Sequence, residues 1–400
     1  MNIKHTTLGV ATVLLFLSQI ATAELLDGKG FDLAGGKLSP KLTVKEFHDD
    51  NLTSAAGSEI GSFGTLVQPN LTYELKNNKH LYSLDYLVSA ATHYSSHNDD
   101  YVDQTVSADY EFTPTSKIKL GVETEYYRGH DPRGTGGAEG TGVVQNSFDR
   151  YHHYKVDANG SYGAKSSKAQ FEFDMGHIAK DYDNNAAATK VRDREDLYAT
   201  SRLYYRVMPK TKMVLEGRVA EYHYDQDAVG TASLDSTTSR ALVGVKWDTT
   251  FKTTGTAQIG YIQKNFDSTA RVDGQDFTWE LGVEWKPRTY STFNLNTSRD
   301  FSESSGAGNF TSTDTITAGW THEWSEQIST KLNMSYSEDS FDQDTTGRSD
   351  DKLNVSASVD YEMRRWLKLG AGYTYDERDS TINSFDYKRN QVEAFATVTF

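Results

Sequence analysis

The chain has 400 residues, no Cys, only 6 Pro, and 24 Tyr beside 18 Phe and 6 Trp. Without Cys it has neither a disulfide nor a thiolate metal site, and no stretch reaches the roughly 20 apolar residues of a membrane-spanning helix. Asp and Glu outnumber Lys and Arg by 56 to 41, for a formal net charge of −15, the wrong sign for a nucleic-acid partner.

Residues 1–23 read as a secretory signal peptide. Lys4 precedes a mostly apolar run over 8–17, and Ala21 and Ala23 stand where a signal peptidase cuts. That run is too short for a stable membrane anchor. Residues 24–36 form a short Gly-rich lead-in, expected in the periplasm and too small to fold into a plug.

From residue 37 to 400 the dominant pattern is strict alternation of apolar and polar residues, which places one strand face in an apolar medium and the other in water. Val106, Ala108, Tyr110 and Phe112 alternate with Ser107, Asp109 and Glu111. Phe277, Trp279, Leu281, Val283 and Trp285 alternate with Thr278, Glu280, Gly282 and Glu284. Eighteen such stretches follow one another, centred near 44, 72, 86, 107, 122, 154, 173, 202, 217, 244, 260, 281, 295, 318, 333, 357, 372 and 395. Pro69 cannot donate to a sheet ladder, so it is expected at the start of its strand or at a bulge.

The connections alternate as well. Short turns such as 77–79, 113–116, 209–211 and 363–365 alternate with long polar loops at 48–64, 95–101, 129–146, 181–193, 225–237, 266–275, 301–309, 338–350 and 378–387. Backbone groups cannot stay unpaired in lipid, so a sheet with one lipid-facing side must close on itself. The expected fold is all-β: a single antiparallel transmembrane β-barrel of about 18 strands (16–20 as the range), with both termini periplasmic. Its partners would be outer-membrane lipid and lipopolysaccharide. Aromatic girdles are expected from Phe112, Trp247, Trp285, Tyr290, Trp324 and Phe400 at the short-turn end, and from Tyr94, Tyr126, Tyr224 and Phe266 towards the loops. Aromatics spread all round suggest no protomer interface, and a monomer is expected.

A barrel of this size leaves an aqueous channel, which folded-in loops would narrow, the Gly-rich 129–146 among them. The polar faces present Arg202, Arg206, Arg218, Arg240 and Lys246 on strands 8 to 10. They present Asp109, Glu111, Glu123, Glu125, Glu172 and Asp174 on strands 4, 5 and 7, and Glu280, Glu284, Asp360 and Glu362 on strands 12 and 16. Opposite charges on different walls imply a transverse field across a wet pore. Inward Tyr198, Tyr204, Tyr222 and Tyr224 beside the arginines would suit a sugar chain. No cofactor, metal or catalytic set is expected. His152 and His153 fall on opposite strand faces, no G-x-S-x-G occurs, and paired loop acids such as Asp181 with Asp183 read as solvated charge.

The last stretch puts Val392, Ala394, Ala396, Val398 and Phe400 on one face. It resembles the C-terminal signal that the outer-membrane assembly machinery reads, with Val398 and Phe400 matching and Phe395 standing where Gly is preferred. Near the other end come Leu38-Ser39-Pro40, Phe47-His48-Asp49-Asp50-Asn51-Leu52, Gln68-Pro69-Asn70-Leu71-Thr72-Tyr73 and Ser83-Leu84-Asp85-Tyr86. In these words the chain resembles the β-barrel porin-2-like family of Gram-negative outer-membrane proteins. The resemblance implies an outer-membrane channel of exopolysaccharide or capsule systems, working beside a periplasmic polysaccharide export protein. The expected function is export of an extracellular polysaccharide, with a general diffusion porin as the alternative and an adhesin or enzyme behind it.

Overall fold

The computed structural model describes residues 28–139, 145–164, 166–250, 252–304 and 308–400; the signal peptide and its cleavage pair Ala21 and Ala23 lie outside them. After a short strand β1 (Phe31–Leu33) come β2 (Gly36–Asp49), β3 (Ser62–Asn77), β4 (His80–His93), β5 (Tyr101–Thr115), β6 (Ile118–Asp131) and β7 (Asp149–Tyr162). Next are β8 (Ala169–Tyr182), β9 (Arg194–Met208), β10 (Thr211–Tyr224), β11 (Ser236–Thr250), β12 (Thr253–Phe266) and β13 (Gly274–Arg288). The series ends with β14 (Ser291–Glu303), β15 (Phe310–Glu323), β16 (Ile328–Phe341), β17 (Ser349–Arg364), β18 (Leu367–Ser380) and β19 (Tyr387–Thr399). Each strand from β2 to β19 pairs antiparallel with its neighbours, and β19 pairs with β2. Eighteen strands thus close into one barrel.

The two-residue period decides which side chains meet lipid. On β10, Met213, Leu215 and Val219 are exposed, whereas Val214, Glu216, Ala220, Tyr222 and Tyr224 on the alternate face are buried. The outer face therefore carries the exposed apolar side chains and the inner face the buried polar ones, the reverse of a soluble protein. Trp285, Tyr290, Trp324, Trp366 and Phe400 remain exposed around the short-turn end.

Two expectations are corrected. Tyr224 and Phe266 belong to no girdle: both point inward and pack with Tyr222 and with Ile262, Phe301 and Phe310 respectively. Pro69 lies inside β3, opposite Leu42. The ladder to β4 skips Gln68 and Pro69 without changing register, and Asn70 Nδ2 donates there to the Tyr86 carbonyl at 3.4 Å. Tyr86 is the residue opposite Leu71, so this side-chain bond braces the ladder just past the proline.

The Asp-Asp-Asn word sits at the closing seam. Asp49 and Asn51 are fully buried. Arg389 Nε of β19 donates to Asp49 Oδ2 at 2.7 Å, and Asn51 Nδ2 donates to the Lys388 carbonyl at 2.9 Å. Asp50 accepts from the Asn390 amide nitrogen at 2.6 Å and from Asn390 Nδ2 at 2.7 Å. At the opposite rim, β1 pairs with β2 beyond the end of β19, and the Gly30 nitrogen donates to the Phe400 carbonyl at 2.9 Å. Both ends of the seam are tied.

Candidate channel lumen

On β8 to β12 the lumen face is bulky, charged and packed. Arg202 bonds Asp174 at 2.6 Å and Glu216 at 2.7 Å, and Arg240 bonds Glu216 at 2.9 Å, Glu280 at 2.7 Å and Asp300 at 3.0 Å. Lys264, with no solvent exposure, pairs with Glu303 at 2.5 Å and lies 4.3 Å from the Tyr222 ring. Val214, Leu242 and Ile262 fill the gaps between these groups. The expected transverse field is therefore corrected. Strands about 4.8 Å apart bring opposite charges into lateral contact, so Arg202 and Arg240 are neutralised within their own wall.

The tyrosine wall is corrected in the same way. Tyr204 donates to Glu172 at 3.0 Å, with Lys246 and Lys212 over its ring at 5.1 and 5.8 Å. Tyr198 donates to Asp157 and carries Arg218 over its ring at 5.0 Å. Tyr224 donates to Glu303 at 2.7 Å. Rings covered by cations in a packed layer offer no face to a sugar. Arg206 shares this inner face near the short-turn end. Glu284 pairs with Lys286 at 2.8 Å, and buried Asp360 lies 3.5 Å from Lys331 and 3.8 Å from Lys368.

From β13 to β18 the mid-height lumen face has another chemistry. One cross-strand row runs Gly282, Asn296, Thr317, Ser335, Asn354 and Asp376; the next runs Glu284, Asn294, Gly319, Asn333, Ser356 and Thr374, so both rows are neutral across β14 to β17 and each ends in one carboxylate. Asn294, Asn296 and Asn333 are exposed. The exposed amides are lightly held: Asn296 Nδ2 donates to Thr317 Oγ1 at 3.2 Å, and Asn333 Nδ2 reaches Ser356 Oγ only at 3.5 Å, whereas Asn354 Nδ2 donates to Asp376 Oδ1 at 2.6 Å. Across β14 to β17 this wall is small, neutral and rich in donors and acceptors. Between the two sectors, Asp109, Glu123 and Asp157 stand directly opposite one another on β5, β6 and β7. Like charges so placed repel, and they draw cations to that side.

A chain segment crosses the mouth at the long-loop rim. The β6–β7 connection starts at Pro132, and its Glu139 pairs with Arg348 at 2.7 Å and with Arg378 at 3.0 Å. Those arginines stand a third of the way round the ring: β5, β4, β3, β2 and β19 lie between β6 and β18, roughly 30 Å along the wall at ~4.8 Å per strand. At its near end Arg133 is buried against Asp99, with Nε to Oδ1 at 2.7 Å, and Arg192 pairs with Asp131 at 3.3 Å. Folding-in of the 129–146 loop is thus seen in its described part.

The remaining rim groups are structural. His152 faces outward to Asp183 at 2.9 Å and His153 inward to Glu125 at 2.8 Å, on opposite strand faces as expected. Asp181 meets Asp193 and Asp225, their carboxylate oxygens within 4.8 Å of one another, but Asp193 already accepts from the Tyr182 nitrogen and Lys190. In the β16–β17 loop, Asp344 accepts from the Thr346 hydroxyl and from the Thr346 and Arg348 backbone nitrogens, both at 3.1 Å. The Thr346 hydroxyl first, helped by those amides and the Arg348 charge, holds its carboxyl below the usual range against the opposing effect of burial.

A barrel closed by eighteen strands, with a lipid-facing apolar belt and a polar lumen, is the frame in which the sequence comparison falls. The family described as "Putative beta-barrel porin 2" matches residues 34–400. The chain belongs to this family. The porin is an integral outer-membrane β-barrel. No curated protein matches it. Among solved structures it is similar to OpdK of Pseudomonas aeruginosa, at 13% identity and TM-score 0.49, covering 91% of this chain and 99% of that one. It is also similar to OccAB4 of Acinetobacter baumannii, at 11% identity and TM-score 0.49, covering 91% and 98%. A mutant of the ferric enterobactin receptor PfeA of P. aeruginosa is similar at 7% identity and TM-score 0.46, covering 90% and 80%.

Sequence reasoning passed over Glu139, Arg348, Arg378 and the amide rows of the porin. One signal for Glu139 was available: it is the only charged residue from 134 to 148. The amide rows were visible as polar positions, but their freedom from charge stands out only once β14 to β17 are laid side by side.

Proposed function

We propose that the porin is a passive channel for small, uncharged, hydrogen-bonding solutes, which pass along the neutral wall of β14 to β17. The observation that carries this reading is the pair of amide and hydroxyl rows. Their groups exchange hydrogen bonds with a moving solute at little cost, whereas the salt-bridged sector of β8 to β12 beside them has its donors and acceptors already taken. In this reading the long loops face the lipopolysaccharide leaflet and both termini lie in the periplasm. The assembly machinery would read the last strand, with Val398 and Phe400.

Export of an extracellular polysaccharide is the second reading. The same rows favour it, since they would let a polyhydroxyl chain slide without a charge trap, and a periplasmic polysaccharide export protein would deliver the chain. The segment across the mouth favours the small solute. Deleting the gene and measuring extracellular polymer separates the two: loss of polymer supports export, and intact polymer with slower uptake of small sugars supports diffusion.

Swelling of proteoliposomes in arabinose tests the path itself. A Cβ added at Gly319 would lie 3.2 Å from the Asn333 amide oxygen, 3.8 Å from the Asn294 Cβ and 4.0 Å from the Asn294 Nδ2, while nothing lies within 4 Å of one at Gly217, on the lipid face. Gly319→Trp should slow swelling and Gly217→Trp should leave it unchanged. Equal rates for both variants would sink the proposed path.

A further inference from the structure

We propose that the short-turn end of the porin is a docking collar for anionic phospholipids of the inner leaflet, made of basic turn tips and the β1–β2 hairpin. The inference takes from the reading above only its orientation, with the short turns towards the periplasm. Eight short turns join the strands at this end. Six of them carry an exposed cation: Lys79, Lys117, Lys168, Lys210, Lys252 and Arg365. The β13–β14 turn follows exposed Arg288, and the β15–β16 turn carries Glu326 instead. In a chain of net charge −15, a basic rim is a local departure. Among the described residues no carboxylate lies within 4.0 Å of the Lys79, Lys117, Lys168 or Arg365 cations, so their charge is left for a partner.

The level of these cations selects the partner. Exposed Trp285, Tyr290, Trp324, Trp366 and Phe400 mark the hydrocarbon boundary at this end. Arg365 is next to Trp366 in the chain, and Lys168 Nζ lies 5.3 Å over the ring of Tyr205, which is exposed on the lipid face. Long basic side chains at that boundary reach past it into the layer of phosphates. The hairpin adds an apolar contact. Ala34 and Gly35, with φ of 48° and 84°, fold β1 back onto β2 beyond the end of β19. Phe31 stands opposite Leu38 and Leu33 opposite Gly36, on the face that carries Leu42 and Val44 further along β2. Phe31 and Leu33 are 56% and 52% exposed, with Lys29 and Lys37 exposed beside them. The same balance of apolar and basic groups holds an amphipathic segment in the headgroup layer. A soluble acidic protein would match the turn tips but not two apolar side chains that continue the lipid face.

The test is native mass spectrometry of the full mature protein given equimolar phosphatidylglycerol and phosphatidylcholine, with folding checked by heat-modifiable gel mobility. The wild type should retain phosphatidylglycerol over phosphatidylcholine by about fivefold or more, the preference that one cation near an anionic surface supplies. Lys117→Gln, Lys168→Gln, Lys210→Gln and Lys252→Gln combined should bring the two lipids towards parity. Arg128→Gln with Lys388→Gln, at the long-loop end, should match the wild type. Because the chain has no Cys, Leu33→Cys can carry an environment-sensitive fluorophore; in phosphatidylglycerol vesicles it should be quenched by lipids brominated near the headgroup and shielded from aqueous iodide. Equal retention of both lipids by the folded wild type, or full phosphatidylglycerol preference in the folded fourfold variant, overturns the collar. Quenching by iodide alone overturns it too, and points to a soluble acidic partner. Arabinose swelling reads the channel separately, so either proposal can fail without the other.

Discussion

Glu216 is the carboxylate on which the packed half of the lumen depends. It is 2% exposed and accepts from Arg202 Nε at 2.7 Å and from Arg240 Nη2 at 2.9 Å. Glu216→Gln keeps the shape, removes the charge and turns a donor towards two cations. Removing one partner of a buried ion pair typically costs about 3–5 kcal/mol. Two features lower that figure here. Arg202 is 28% exposed and keeps Asp174 at 2.6 Å, and Arg240 keeps Glu280 and Asp300. The expected loss is therefore about 2–3 kcal/mol, the upper range for hydrogen bonds to charged groups. Equilibrium folding into lipid vesicles across a urea series, read by Trp fluorescence and by gel mobility, measures it directly. Arabinose flux should be unchanged, since the neutral wall is untouched. A loss below ~0.5 kcal/mol, the worth of a surface ion pair, would refute the reasoning and mean that water fills this half of the barrel.

Asp109→Asn removes the end charge of the row with Glu123 and Asp157. It should stabilise the barrel by about 0.2–1 kcal/mol and move the reversal potential in a KCl gradient towards zero, away from cation preference. Leu215→Arg puts a charge on the lipid face amid Leu203 and Val243 and should cost about 2–4 kcal/mol if it lies near the bilayer midplane, measured in the same urea series. Asp344 has a carboxyl held below its ordinary 3.8 by Thr346 and the loop amides. A depressed carboxyl stabilises the folded loop above the ordinary value and loses that contribution as pH falls through the folded one. Hydrogen exchange at the Thr346 and Arg348 amides, corrected for intrinsic rates, should lose protection below about pH 4, and Asp344→Asn should abolish the dependence.

The barrel was legible because its signal is local. Alternation within ten residues marks each strand, and every one of the eighteen predicted centres falls inside an observed strand. What lies beside what was not local. Arg202 and Glu216 face one another only because a two-residue turn at Pro209 and Lys210 fixes the β9–β10 register, and Arg240 joins them from a third strand. Reading strand faces singly therefore gave opposed charged walls where the fold makes a lateral lattice. Pro69 was misplaced for the same reason, since β3 is carried through that point by its register with the strands on either side. The Glu139 contact joins residues 209 positions apart, and no period in the sequence reports it.

The ties at the seam bear on how long the porin lasts once assembled. Arg389 and Asp49, like Asn390 and Asp50, meet across 340 residues, so they can form only after both terminal strands have reached their places. Contacts made that late are weak or absent at the barrier to closure, and such contacts chiefly slow unfolding and hardly alter the rate of assembly. The Asp-Asp-Asn word is then a timer: its hydrogen bonds lengthen the lifetime of the closed ring in a membrane where a barrel, once opened, exposes unpaired strand edges to lipid.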